Sequence, residues 1–461
     1  MTRDRRLASA LATATVLVLS GLVSGSAATA GPAAPTVRAA APLASVETAA
    51  RVQVAAKKKT GWKPVAGAKF NTPRSKPGTQ FRLEAQVLGA IRHAKKGSMI
   101  RISLFSFDRY PVADALIKAH RRGVDVQVLM NNHEVPGAQK KLRSVIGANR
   151  SKRSYIYQCT NGCRSSGENN HDKYFLFSHT GIAKNVVMTG SVNMKMNGAK
   201  NQFNDLWTRN NVPKIYQAFD ALHEQMERDK VARPNYWVQN IGKNFQLQAL
   251  PFHGNGPNHD PIDTILDPVR CKGATGGTGN QGRTRIRVNM HAWDGDRGTY
   301  LARRLRKLYA LGCDVRLQYG YAGKRVRAEL GVRTPRGYVP VRSSGMDTNL
   351  DGEIDLYSHM KLLVISGNYG NDTSKRVVVT GSSNYQDSGL RGDELLFRMY
   401  DQGKATKQYF AHFDWMWNNH TRAVPYQKKT VSGRGLDGAA TTEQRIYDDG
   451  LGTDSPEWKD Q

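Results

Sequence analysis

The apolar and polar positions of the chain follow two alternating periods, and the same order of periods occurs twice. Apolar residues at helical spacing run from Leu83 to His93 and stop at Lys95-Lys96-Gly97. The alternating, aromatic and branched stretch Ile100 to Phe107 predicts a strand, Val112 to Arg122 an amphipathic helix closed by Gly123, and Val124 to Met130 a second strand. This is a βαβ unit. Further on, Ile286 to Trp293 predicts a strand, Leu301 to Leu311 a helix closed by Gly312, and Val315 to Tyr319 the next strand. Gly123 and Gly312 lie 189 residues apart, and Asp108 and Asp294 follow corresponding strands, so the chain is an internal duplication. Each half continues with a loop, a strand, a second apolar strand (Asn185 to Thr189; Arg376 to Thr380), a further strand and a closing helix near Ile215 to Glu227 or Lys407 to Asn418. The fold class is α/β, in two tandem repeats.

Residues 1–30 carry Arg3, Arg5 and Arg6, an apolar run from Leu7 to Val23 and then Ala28-Thr29-Ala30, the pattern of a cleaved secretory signal. A flexible Ala/Pro/Lys-rich lead-in is expected over 31–60, the first domain over 61–228, a junction over 229–244, the second domain over 245–426 and a polar acidic tail over 427–461. No later stretch approaches membrane-spanning length. The expectation is an exported, extracellular protein, monomeric, with a pseudo-dimeric site.

Composition sharpens this in two ways. The formal charge of +30 favours anionic partners, with nucleic acid, anionic headgroups and wall polyanions all open. Four cysteines in an exported chain suggest two disulfides. Cys159 with Cys163 and Cys271 with Cys313 is one of three pairings, and the spacing does not supply the paired ligands of a zinc site.

The repeated strands carry a repeated motif. His171-Asp-Lys173 leads through an apolar run to Gly190-Ser191-Val-Asn193, and His359-Met-Lys361 leads in the same way to Gly381-Ser382-Ser-Asn384. An acid follows each, in Asn204-Asp205-Leu206 and in Asp393-Glu394-Leu395, which aligns Asp205 with Glu394. Two lysines and two asparagines supply fixed cations and hydrogen-bond donors of the kind that stabilise a bound anion. His291, aligned with Phe105, is a candidate pocket wall.

Tandem His-x-Lys and Gly-Ser-x-Asn elements on strands resemble the phospholipase D superfamily over most of the chain from Gly61 to Tyr426, which implies two tandem α-β-α sandwich domains related by pseudo-twofold symmetry, each a mixed sheet flanked by helices. The family places an Asp four residues after the Lys, where this sequence has Ser178 and Ser366. The resemblance implies a phosphoric diester hydrolase in which one histidine attacks phosphorus, forming a phosphohistidine, and the other protonates the leaving alcohol. It assigns His171 as nucleophile and His359 as acid. Asp205 and Glu394 are the expected imidazole partners. Lys173, Lys361, Asn193 and Asn384 are expected to bind phosphate, together with Ser191 and Ser382, which would also orient the turn or bond to the acids. No cofactor is required for this chemistry.

The second motif has a neighbour that the first lacks. Asp347-Thr-Asn349-Leu-Asp351-Gly352-Glu353-Ile-Asp355 follows the oxygen-ligand pattern of a calcium loop, with glycine at the sixth place and Ser358, not a glutamate, at the twelfth. A structural calcium here would brace the loop that delivers His359. The leading expectation is a secreted enzyme hydrolysing glycerophospholipids to phosphatidic acid and a free headgroup alcohol, with transfer to other alcohols. A secreted nuclease of the same chemistry is the alternative, and a non-catalytic polyanion-binding protein the third reading.

Overall fold

The computed structural model describes residues 61–254, 256–432 and 441–448. The leader, the lead-in and most of the tail expected from the sequence lie outside these residues.

The first half builds a seven-stranded sheet in the order Gly67–Phe70, Asp205–Arg209, Ala183–Gly190, Tyr174–Thr180, Met99–Leu104, Asp125–Met130 and Tyr155–Gln158. The last three strands run parallel, as a βαβ crossover requires, and the others pair antiparallel. The second half repeats this arrangement with Val341–Ser343, Asp314–Ala322, Arg285–Trp293, Lys361–Tyr369, Asp372–Gly381, Leu395–Tyr400 and Phe245–Ala249. It adds edge strands at Arg422–Ala423 and Trp237–Ile241, the latter from the segment read as a junction.

Helices Arg82–Arg92, Tyr110–Arg121 and Gly137–Ile146 cover the outer face of the first sheet, burying Val87, Ile91, Val112, Leu116 and Leu142 against Ile100, Ile102, Val126 and Val128. The closing helices Pro213–Glu227 and Gly403–Asn419 lie in a core common to both halves. Their Phe219, Leu222, Tyr409 and Met416 pack with Leu176 and Trp207 of one sheet and with Leu362, Val378 and Phe397 of the other. The two sandwiches therefore share their inner layer. Each fully buried large apolar side chain there contributes roughly 1.5–3 kcal/mol, so neither half keeps its core without the other.

Two elements depart from the sequence reading. Helix Gly295–Ala310 starts six residues before Leu301 because its first turn is capped from a distance: the Asp387 carboxylate accepts the N–H groups of Asp296 at 3.2 Å and Arg297 at 2.9 Å. Within the stretch read as a polar tail, Thr441–Tyr447 pairs with Tyr426–Ser432, and the Arg445 guanidinium stacks 3.9 Å from the centre of the Tyr338 ring and 4.1 Å from that of Tyr426. The cysteines pair Cys159 with Cys163 and Cys271 with Cys313. Among the described residues no helix is long and apolar enough to cross a membrane.

Candidate active site

The two histidines precede equivalent central strands, Tyr174–Thr180 and Lys361–Tyr369, and each is docked on the opposite half. The His171 N–H donates to the Asp393 carbonyl at 2.9 Å, and the His359 N–H to the Phe203 carbonyl at 2.9 Å. Tyr357–Ser358 pairs in parallel with Gln202–Phe203, and Asn170 bridges Asp393. The pseudo-twofold axis thus runs between the motifs, and both imidazoles are buried beside it.

Their partners are not equivalent. Nδ1 of His171 lies 2.8 Å from Oε1 of Glu394. Nδ1 of His359 lies 2.8 Å from Oδ1 of Asn204, not from Asp205. Asp205 points the other way, accepting hydrogen bonds from the Thr380 hydroxyl at 2.7 Å and the Tyr409 hydroxyl at 2.7 Å. The register explains the exchange. Ser191 Oγ accepts the N–H of Asp205, 14 residues on, whereas Ser382 Oγ accepts that of Leu395, 13 residues on. The first half carries one extra residue after its glycine turn, so Asp205 is the counterpart of Leu395 and Asn204 that of Glu394. Matching acid to acid along the sequence hides this residue, and only the strand pairing shows it.

The glycines of both turns are fixed by close approach. A Cβ on Gly190 would stand 2.4 Å from the Asp205 carbonyl, and one on Gly381, at φ +154°, 2.2 Å from that of Leu395. Ser191 Oγ donates to Asn204 Oδ1 at 2.9 Å, and Ser382 Oγ accepts the N–H of Leu395, the residue after Glu394, at 3.0 Å. Ser191 therefore holds the His359 partner directly, and Ser382 holds the strand that carries the His171 partner. Oδ1 of Asn193 accepts the Ser106 N–H at 3.3 Å and Oδ1 of Asn384 accepts the Ala292 N–H at 3.4 Å, which turns each amide NH2 away from those backbones. Lys173 Nζ donates to the His171 carbonyl at 2.5 Å and Lys361 Nζ to the His359 carbonyl at 2.9 Å. In place of the motif aspartate, Ser178 Oγ accepts the Met99 N–H at 2.8 Å; Ser366 lies within its strand, paired with Arg376 and Arg285.

Burial and mutual repulsion set the charges. Burial lowers His171 to about 4, against the pull of Glu394 and with the push of Lys173 and Lys361. Burial takes Lys173 down to about 7, with Glu394 and Asp172 opposing, and holds Lys361 well below the usual lysine range, aided by Lys173. His359 is held well below the ordinary imidazole value by burial, then by Lys361, His291, Lys173 and His171. Burial pushes Glu394 up, but His171, Lys173 and Ser382 more than offset it and leave its carboxyl below the usual range. Burial and mutual repulsion thus drive these groups toward neutrality, and an anion entering among them would favour their protonated forms.

Aromatic walls flank the pair. The Phe105 ring stands edge-on 5.1 Å from His171 and stacks on His133 at 4.1 Å. His291, the counterpart of Phe105, lies 4.7 Å from the His359 ring and 5.1 Å from Tyr357. The sequence alignment had placed His291 here; His133 carried no signal.

The acidic loop sits just before Tyr357. Asp347 accepts the N–H groups of Asn349, Leu350 and Gly352, Asn349 Oδ1 that of Asp351, Asp351 that of Glu353, and Asp355 that of Thr348. Gly352 takes φ +89°, the turn its place requires. Arg74 of the first half donates to the Thr348 hydroxyl at 2.5 Å. Among the described residues no three His, Cys, Asp or Glu side chains converge as a metal-holding group; amide and backbone oxygens would have to complete any calcium shell here.

A duplicated mixed α/β sheet thus brings the paired His-x-Lys strands together at a pseudo-twofold axis. Residues 87–229, which lie within the first repeat, match the family described as "Cardiolipin synthase, PLD-like domain". No curated protein matches the sequence. Solved structures similar in fold include phosphatidylserine synthase from Haemophilus influenzae Rd KW20, at 14% identity and TM-score 0.48 over 77% of this chain and 87% of that one. Polyphosphate kinase from Porphyromonas gingivalis aligns at 13% identity and TM-score 0.48 over 75% of this chain; the chain spans about half of that enzyme's length, 49%. Nuc from Salmonella typhimurium, a phospholipase D family member, aligns at 23% identity and TM-score 0.27 over 34% of this chain and 93% of its own.

Proposed function

We propose that this protein is a secreted phosphodiesterase that hydrolyses glycerophospholipids to phosphatidic acid and the free headgroup alcohol, and transfers the phosphatidyl group to other alcohols. The observation that carries the reading is the pair of buried imidazoles, each anchored at Nδ1 on the opposite half, with Lys173, Lys361 and the amides of Asn193 and Asn384 from both repeats. Anchoring at Nδ1 leaves Nε2 for chemistry. The Nε2 lone pair of His171 attacks phosphorus and the bond to the headgroup oxygen breaks, while His359 gives its Nε2 proton to that oxygen. Water then attacks the phosphohistidine, His359 takes the water's proton, and the P–N bond breaks with its electrons returning to His171. The lysines and asparagine amides neutralise the nonbridging oxygens throughout. Bound phosphate restores charge to lysines that burial alone drives toward neutrality. The chemistry needs no cofactor, and calcium in the Asp347–Asp355 loop is proposed only as a brace.

The lipid reading draws on the cardiolipin synthase description of the matching family. The formal charge of +30 favours a second reading, a nuclease of the same chemistry. Side-by-side assay of phosphatidylcholine, phosphatidylethanolamine and DNA separates them. Release of choline or ethanolamine with phosphatidic acid is expected, and cleavage of DNA alone would replace the lipid reading.

A further inference from the structure

The structure assigns Asn204 as the residue that fixes the tautomer of His359 and keeps that imidazole a weak base, so that the two histidines of the site are chemically unequal. This rests on the two-histidine reading above and goes beyond it. Asn204 and His359 are both fully buried. Only an amide NH2 can face the Gly198 carbonyl 3.1 Å from Nδ2, so the orientation of the Asn204 side chain is fixed and Oδ1 is the atom 2.8 Å from His359 Nδ1. Ser191 donates to the same oxygen. An acceptor at Nδ1 requires Nδ1–H, and the neutral ring then carries its lone pair on Nε2, which has no protein partner.

The charge balance makes this consequential. His171 has the carboxylate of Glu394 to stabilise a cationic ring, which a phosphohistidine demands. His359 has a neutral amide. The groups around it are Lys361 on its own strand, His291 on the adjacent strand, and Lys173 and His171 from the other half, all cationic when protonated. The carboxylates in reach, Asp205 and Glu394, act on Lys361, and Asp205 is spent on Thr380 and Tyr409. A carboxylate at position 204 would bring its second oxygen against the Gly198 carbonyl, so the local backbone selects the amide. The acid form of His359 is therefore scarce and strong. It gives up its proton readily to a leaving alkoxide, and turnover falls as pH rises through a value below the ordinary imidazole pKa of about 6.5.

Nitrogen NMR of the wild-type histidine rings tests the assignment without a variant. His359 is expected as the Nδ1–H tautomer, titrating below His171; an Nε2–H ring, or titration above His171, would overturn it. Asn204→Asp supplies the missing charge, and the expected result is a rise of the His359 ring titration by about one pH unit or more. A folded N204D protein whose His359 titration stays in place would equally overturn it. Absence of cleavage of any diester by the wild type would remove the functional reading instead, and the ring measurements would still decide the dyad.

Discussion

At the residue scale the site is a set of side chains whose charges are decided by what stands one hydrogen bond away. Glu394 illustrates this. Its carboxylate supplies both the acceptor that orients His171 and the negative charge that a phosphorylated ring needs. Glu394→Gln keeps an acceptor oxygen of nearly the same shape and removes the charge alone. The expected outcome is a fall in kcat of roughly 10²-fold or more with the far-ultraviolet dichroism unchanged, and an unaltered kcat would mean that the charge has no part in the reaction. The histidines, lysines and asparagines were legible in the sequence because each appears twice in the same order, and chance does not repeat such a set in register. The partner of His359 was not. Asp205 and Asn204 are adjacent, the extra residue in the first repeat is silent, and an acid was aligned with an acid. Strand pairing decides between the neighbours because the side chains of successive strand residues point to opposite faces.

At the scale of elements, the strands and helices of the two βαβ units could be read from period alone, since each buries one regular face. The departures occur where a distant residue does the work. Asp387 starts helix Gly295–Ala310 early, and Tyr338 gives Arg445 of the C-terminal hairpin a surface to stack on. Neither partner is near in sequence. The Asp347–Asp355 loop leads directly to the strand that docks His359 on Gln202–Phe203. If calcium braces it, adding calcium to chelator-treated protein raises Tm by about a few degrees and magnesium does not. Cleavage persists in chelator, at reduced rate. An identical Tm with and without calcium would remove the metal from the account, and complete loss of cleavage with Tm unchanged would contradict the bracing role.

At the scale of the whole molecule, duplication explains why the site exists. One repeat offers a single imidazole, a single lysine and a single amide, whereas in-line displacement at phosphorus needs a nucleophile and an acid on opposite sides. The two sheets share the helices Pro213–Glu227 and Gly403–Asn419, and Asp205 of one half is tied to Thr380 and Tyr409 of the other. The halves are thereby held together across the axis beside which His171 and His359 lie. The shared core also holds the asymmetry in place, because bringing Asp205 itself opposite His359 would mean moving a buried strand by one residue.

The central claim is that His171 becomes covalently phosphorylated while His359 moves protons. Its most direct test is acid-free quenching during turnover of short-chain phosphatidylcholine, followed by mass spectrometry of the peptides bearing each histidine, in the wild type and in His171→Ala and His359→Ala. The account predicts a phosphatidyl adduct on His171 in the wild type, none in H171A, and no steady-state turnover in either variant. An adduct on His359, or sustained turnover by H171A, would contradict it.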